Sequence, residues 1–147
     1  MASRPIDLQG YFPYFLGTIA NRWTTTSSRL YFERFGIGIG EWRVLASVFS
    51  LGQASSVEVV NLISMDAGAV SRSMRRLEQS GYVTPVEGRF SGRTKPYTLT
   101  AAGKALYAQI QRVALQREKD LLSGLTEAER RTLVELMGKV LDRLGSL

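Results

Sequence analysis

The chain has 147 residues, 44% of them hydrophobic, a formal net charge of +6, and neither cysteine nor histidine. The length fits one domain with its own core, and the basic balance favours a polyanionic partner. Missing cysteine excludes disulfides, thiolate metal sites and thiol switches, while missing histidine removes the usual general base and the commonest metal ligand.

The first long element runs from about Leu8 to Phe35, with Leu8, Phe12, Phe15, Ile19, Trp23 and Leu30 close to one helical face. Pro13 suits a helix that starts nearby and would kink one already running at Leu8. Thr24 to Ser28 are poor helix formers, so packing must support that stretch. Gly36, Gly38 and Gly40 break the helix, and a second one, Glu41 to Ser50, is expected to turn Trp42, Leu45, Ala46 and Phe49 inward before Gly52.

Ser55 and Glu58 have the spacing of a capping box that opens a short helix with Val57, Val60 and Leu62 or Ile63 as its apolar residues. About three residues after that helix stops near Ser64, Asp66 is placed to cap the next one, and Gly81 to end it. Two short helices joined so tightly make a helix-turn-helix. On the second, Val70, Met74 and Leu77 form the packing stripe, and Arg72, Arg75, Arg76 and Gln79 form another face. A helix with small residues at its start, a basic outer face and an anchored back suits a DNA major groove. Two β-type runs, 82–86 and 95–99, then flank a glycine-bracketed basic tip, which reads as a hairpin wing.

From Thr100 the pattern is helical again, with Ala102, Leu106, Ile110, Val113 (or Ala114) and Leu121 on one stripe ending near Gly124. Thr126 and Glu129 form a second capping box, and Leu133, Leu136, Met137, Val140, Leu141 and Leu144 are expected inward on the last helix. The fold expected is mainly α with a small β-hairpin wing. It is a winged helix-turn-helix lobe at about 36–100, with dimerisation helices at 8–35 and 101–147 in a single domain. No linker, composition shift or repeat marks a second domain.

The candidate DNA-binding residues are Ser55, Ser56, Gly68, Ala69, Ser71, Arg72, Arg75, Arg76, Arg89, Arg93 and Lys95. Ser71, Arg72 and Arg75 are expected at base edges or nearby phosphates, Arg76 nearer the backbone, and Arg93 at the wing. Ser55 and Ser56 sit where hydroxyls can donate to phosphate, although capping alone explains Ser55. No metal or cofactor is expected, since no clustered oxygen-ligand motif appears. No nucleophile–base pair or phosphate loop is visible, so the chain does not read as an enzyme. The apolar stretches are interrupted by Arg, Glu or Asn, so neither a membrane span nor a secretory signal is expected and the chain reads as cytoplasmic.

The order of elements resembles the MarR family of bacterial transcriptional regulators over about Leu8 to Leu144. The run from Gly36 to Leu45 is similar to the family's lead into the second helix. Val70-Ser71-Arg72, Arg76-Leu77-Glu78 and Gly81-Tyr82-Val83 resemble its recognition helix and exit, and Leu99-Thr100-Ala101-Ala102-Gly103 its wing-to-helix junction. The chain departs from the family where Ser91 replaces the aspartate of an Asp-x-Arg wing motif, where Thr84 and Pro85 replace basic residues, and at Gly38 and Gly40.

The resemblance implies a homodimeric regulator, most simply a repressor, on a pseudo-palindromic double-stranded operator. It also implies release by a small aromatic or phenolic effector. Tyr11, Tyr14, Phe15, Arg22, Trp23, Trp42, Arg43 and Phe49 are the candidate ligand-binding residues, with Arg22 or Arg43 placed to pair with a carboxylate. Residue by residue, aromatics at helical spacing are more often core, and Arg43 has a second reading as a brace in an ion pair. A protein–protein adaptor without specific DNA binding is the alternative function, and Arg72, Arg75 and Arg76 argue against it.

Overall fold

A computed structural model describes residues 4–145, and by its packing the chain divides into two compact units, one through Ile110 and one from Gln111 onward. The first unit takes in what the sequence reading placed in the DNA-binding lobe together with the first long helix. Helix α1 spans Phe12–Phe35, preceded by a separate 3-10 turn at Leu8–Gly10. Pro13 thus lies in the first turn, where its missing N–H is no loss, and no kinked helix runs back to Leu8. The Thr24–Ser28 stretch stays helical because it is held from outside: Ser27 is fully buried and Arg43 Nη2 donates to Thr24 Oγ1 at 3.2 Å.

Helix α2 (Ile39–Leu51) opens at Gly38, whose N–H donates to Glu41 Oε2 at 2.6 Å, and ends at Gly52 with φ +78. Helices α3 (Ser56–Ile63) and α4 (Ala67–Gln79) form the helix-turn-helix, with Ser64 in the left-handed region at φ 54 between them. Strands β1 (Val83–Pro85) and β2 (Tyr97–Leu99) pair antiparallel in the register Val83–Leu99, Thr84–Thr98 and Pro85–Tyr97. The ribbon is shorter than the sequence runs suggested, and a 3-10 turn at Gly92–Thr94 occupies the basic tip. Ala54 extends the sheet by exchanging backbone hydrogen bonds with Tyr97.

The core of this unit is formed by Tyr31, Val44, Leu45, Val48, Val59, Val70, Met74, Leu77, Val83, Leu99, Leu106 and Ile110. Two expectations are corrected here. Val57 is 40% exposed while Val59 takes the buried position on α3, because that helix is apolar on several sides and its neighbours choose the face. Phe49 is likewise exposed on α2, its ring stacked on Tyr107 at 3.8 Å between centroids.

Helix α5 (Ala101–Leu121) begins where Thr100 Oγ1 accepts from Gly103 N at 3.1 Å and donates to the Gly81 carbonyl at 2.6 Å. Gly103 is obligatory, since a Cβ there would land on the Tyr82 carbonyl oxygen. In the second unit, Thr126 caps α6 (Glu127–Leu144) through the expected box, and Arg130 Nε donates to the Leu122 carbonyl at 3.2 Å. No residue of α6 is buried, contrary to the inward placement expected for Leu133, Leu136, Met137, Val140, Leu141 and Leu144. No helix among the described residues is long and apolar enough to cross a membrane.

Candidate nucleic-acid interface

Helix α4 is fixed at both ends and along its back. Asp66 Oδ2 accepts from Ala69 N at 2.9 Å, Gly81 follows with φ +77, and Val70, Met74 and Leu77 are buried. At 100° per residue the outward face is then centred on Gly68, Arg72, Arg75 and Gln79. Arg72 and Arg75 are exposed there, and Ser71 is half-buried on the flank. The Arg72 guanidinium lies back over Gly68, as helical side chains lean toward the N-terminus; a Cβ on Gly68 would sit 3.0 Å from its Nη1. Glycine at this position therefore leaves room for the arginine against the first turn.

Arg76 points elsewhere. Its Nη1 lies 3.5 Å from Oε1 of Glu41, the carboxylate that also holds Gly38 N. The arginine side chain is 69% exposed and Glu41 12%, so the pair is loose on one side and anchored on the other. One carboxylate thus links the start of α2 to the edge of α4, and Arg76 keeps most of its donors facing solvent.

The wing is tied to α4 from below: Tyr97 OH donates to Glu78 Oε2 at 3.2 Å. Burial, and then the Glu78 carboxylate, push the Tyr97 phenol above its ordinary value. Lys95 Nζ sits 5.8 Å from the centroid of the Tyr97 ring, so this cation is held at the base of the ribbon rather than at its tip. Arg89 and Arg93 are exposed on the tip segment, and Arg93 approaches Ser56, Val57 and Ser71 across a small hollow. Ser71 and Arg93 therefore share the hollow beside the start of α4, Gly68 and Arg72 lie together on the adjoining outward face with Arg75 one turn further along it, and Arg89 and Lys95 lie along the hairpin.

Ser55 is 5% exposed and its hydroxyl is engaged within the fold. It accepts from Glu58 N at 3.3 Å and donates to Glu58 Oε2 at 2.9 Å, while Ser55 N donates to the same oxygen at 2.8 Å. These bonds hold the Glu58 carboxyl below its ordinary value, with the backbone N–H of Ser55 the larger cause. Ser56 lines the hollow beside Arg93.

The eight candidate ligand residues are dispersed. Tyr11, immediately before α1, and Tyr14 and Phe15 on its first turn are exposed, with Tyr14 and Phe15 edge to face at 5.3 Å. Trp42 stacks on Tyr107 at 5.5 Å and meets the buried Tyr31 edge-on at 6.1 Å, while Phe49 covers the same Tyr107. Arg43 braces α2 against α1 through the Thr24 hydroxyl, a hydrogen bond in place of the expected ion pair. None of the eight lines the hollows behind α4, beside the wing or along α6. No cluster of three or more Asp or Glu able to hold a metal occurs among the described residues.

No family model matches the chain. Known proteins do. A crystal structure of a MarR/EmrR family transcriptional regulator from Acinetobacter sp. ADP1 is similar over 97% of this chain and 100% of its own, with 30% identity and a TM-score of 0.88. An HTH-type transcriptional repressor of Mycobacterium bovis is 28% identical over 137 residues, 93% of each chain. A mutant MarR from E. coli, in complex with operator DNA, is 27% identical over 93% of this chain and 99% of its own, with a TM-score of 0.72. The likeness thus runs over nearly the full length of this chain and of each of these relatives. The chain belongs to the MarR family of winged helix-turn-helix transcriptional regulators, which bind DNA and are not enzymes.

Proposed function

We propose that this protein is a homodimeric repressor that reads a pseudo-palindromic operator with α4 in the major groove and the wing against the adjacent backbone or minor groove. The observation that carries the reading is the pair Arg72 and Arg75, exposed on a helix whose opposite face is locked by Val70, Met74 and Leu77. Their donors are free to pair with guanine or phosphate without disturbing the core. Arg76, Arg93 and Ser56 are read as phosphate contacts that set register, with Gly68, Ala69 and Ser71 allowing close approach of the helix. Arg89 and Lys95 add to the field along the hairpin. Ser55 contributes indirectly: its hydroxyl holds the N-terminus of α3 rather than a phosphate.

Dimerisation is supported by apolar side chains that the chain leaves uncovered. Phe12, Phe15, Leu16 and Ile19 on α1, and Leu133, Val134, Leu136 and Leu141 on α6, are all exposed. Large apolar side chains grouped along an exposed helix mark interaction surfaces. A second copy related by a two-fold axis would cover it and set two α4 helices for half-sites about 10 bp apart. The regions 8–35 and 101–147 then serve as dimerisation helices around a DNA-binding lobe at about 36–100. An aromatic or phenolic acid would weaken DNA binding if it preferred a dimer with another α4 separation. Tyr11, Tyr14, Phe15, Arg22, Trp23, Trp42, Arg43 and Phe49 are its proposed contacts in the assembled dimer.

The test is DNA affinity across salt for the wild type, Arg72→Ala and Arg75→Ala. The reading expects a steep fall in affinity with salt and a loss of about 1–3 kcal/mol for a base-reading arginine. Affinity and salt slope identical in all three proteins would overturn it.

A further inference from the structure

Where the starts of α3 and α4 meet the wing, a hollow of about 190 Å3 is lined by Ser56, Val57, Val60, Ala67, Ser71 and Arg93. This volume falls short of a small-molecule site, which is roughly 300–1,000 Å3, yet it is ample for a methyl group and the ring edge that carries it. Val57, Val60 and Ala67 make its apolar wall. Val57 in particular is 40% exposed, an apolar residue at a solvent-facing position that the core does not use. Ala67 and Ser71 lie one turn apart on the flank of α4, next to the outward face that carries Arg72 and Arg75.

The surroundings select the occupant. Arg93 lines the hollow, and Arg72 and Arg75 are exposed on the adjoining outward face of α4; these cations favour a polyanion, whereas a peptide side chain would fill the wall and leave them unmatched. Among the base edges of the major groove, only thymine presents an apolar group, the methyl on C5. We propose that this hollow receives the C5 methyl of one thymine in each operator half-site, so that Val57, Val60 and Ala67 determine specificity alongside the arginines. The proposal rests on the reading of α4 as the groove-facing helix. With the methyl seated between α3 and α4, Arg93 stands beside the flanking backbone and Ser71 beside the base edge.

The experiment uses an operator recovered by selection from random duplex DNA. Each thymine of one half-site is replaced singly by deoxyuridine, which removes only the methyl, and affinities are measured with the wild type, Val57→Ala and Val57→Thr. One thymine is expected to lose about fourfold in affinity, the worth of one buried methyl. That thymine-to-deoxyuridine ratio is expected to fall toward 1 in Val57→Ala. Val57→Thr keeps the shape and replaces a methyl by a hydroxyl, so it gives the same readout if the alanine variant does not fold. A half-site with no sensitive thymine overturns the proposal. So does a sensitive thymine whose ratio is unchanged in both variants, because the methyl is then read elsewhere. Recovery of no operator at all removes the groove-reading role of α4, and the hollow's role with it; the two failures are distinguished because only the first leaves an operator to measure.

Discussion

Gly103→Ala gives the sharpest test of the junction between wing and α5. The new Cβ would fall on the Tyr82 carbonyl oxygen and come within 2.9 Å of its carbon, with Leu99 Cγ at 3.3 Å. These are backbone atoms and a core leucine, so no flexible side chain can swing away to make room. The same carbonyl accepts from Thr100 N at 3.1 Å, a bond that sets the turn from β2 into α5. Forcing the helix off the strand costs about 1–3 kcal/mol in overpacking, and losing the bond adds about 1 kcal/mol. Against this, alanine in place of glycine in a helix gains about 1 kcal/mol. The net loss is about 1–3 kcal/mol, which lowers the Tm of a chain this long by roughly 3–10 °C. Thermal denaturation followed by circular dichroism measures it, with Ala102→Gly, an exposed neighbour in the same turn, as the propensity control. Because Tyr82 leads directly into β1, DNA affinity is expected to fall with the Tm. A Tm equal to or above the wild type would refute the argument that close approach, rather than backbone freedom, requires glycine here.

The capping box of α3 gives a second outcome: Ser55→Ala is expected to cost about 1 kcal/mol in denaturant unfolding. Glu58 and Glu129 both have carboxyl values lowered by their capping bonds, so each contributes stability that is complete above the ordinary carboxylate value and lost as pH falls through its folded value. Acid unfolding of Glu58→Gln should show a shallower loss than the wild type over that window. For Tyr97 the sign reverses: its raised value means that the stabilisation it brings is present below the ordinary phenol value and lost as pH rises through the folded one. Ultraviolet titration of the wild type and Tyr97→Phe should differ by a tyrosine that ionises late, present only in the wild type. Leu141→Glu, on the exposed apolar side of α6, is expected to shift the sedimenting species from dimer to monomer without lowering the helix content; an unchanged dimer would move the interface elsewhere.

Local signals were legible in the sequence because their physics is local. The Asp66 cap, the Ser55 and Thr126 boxes, the stops at Gly52 and Gly81 and the stripe Val70, Met74 and Leu77 all depend on residues within one or two turns. What escaped was set by distant partners. Glu41 reaches Arg76 across 35 positions, and Tyr97 reaches Glu78 across 19. Periodicity could not choose the buried face of α3, where Val57, Val59, Val60, Leu62 and Ile63 supply apolar groups on several sides. On α2, Trp42 and Phe49 turn to Tyr107, and the unforeseen Val44 and Val48 join the expected Leu45 as its fully buried apolar residues. The basic face of α4 was readable, but the different employment of its arginines was not: Arg72 lies over Gly68 and Arg76 turns to Glu41, a division that rests on the glycine and the carboxylate placed beside them.

Selection of sites from random duplex DNA, with affinity then followed across salt, tests the central claim most directly. The account expects a two-fold-symmetric site with half-sites about 10 bp apart, bound in the nanomolar range at moderate salt. Weak binding with no enriched sequence would contradict it, and would leave the basic face of α4 as a source of non-specific attraction alone.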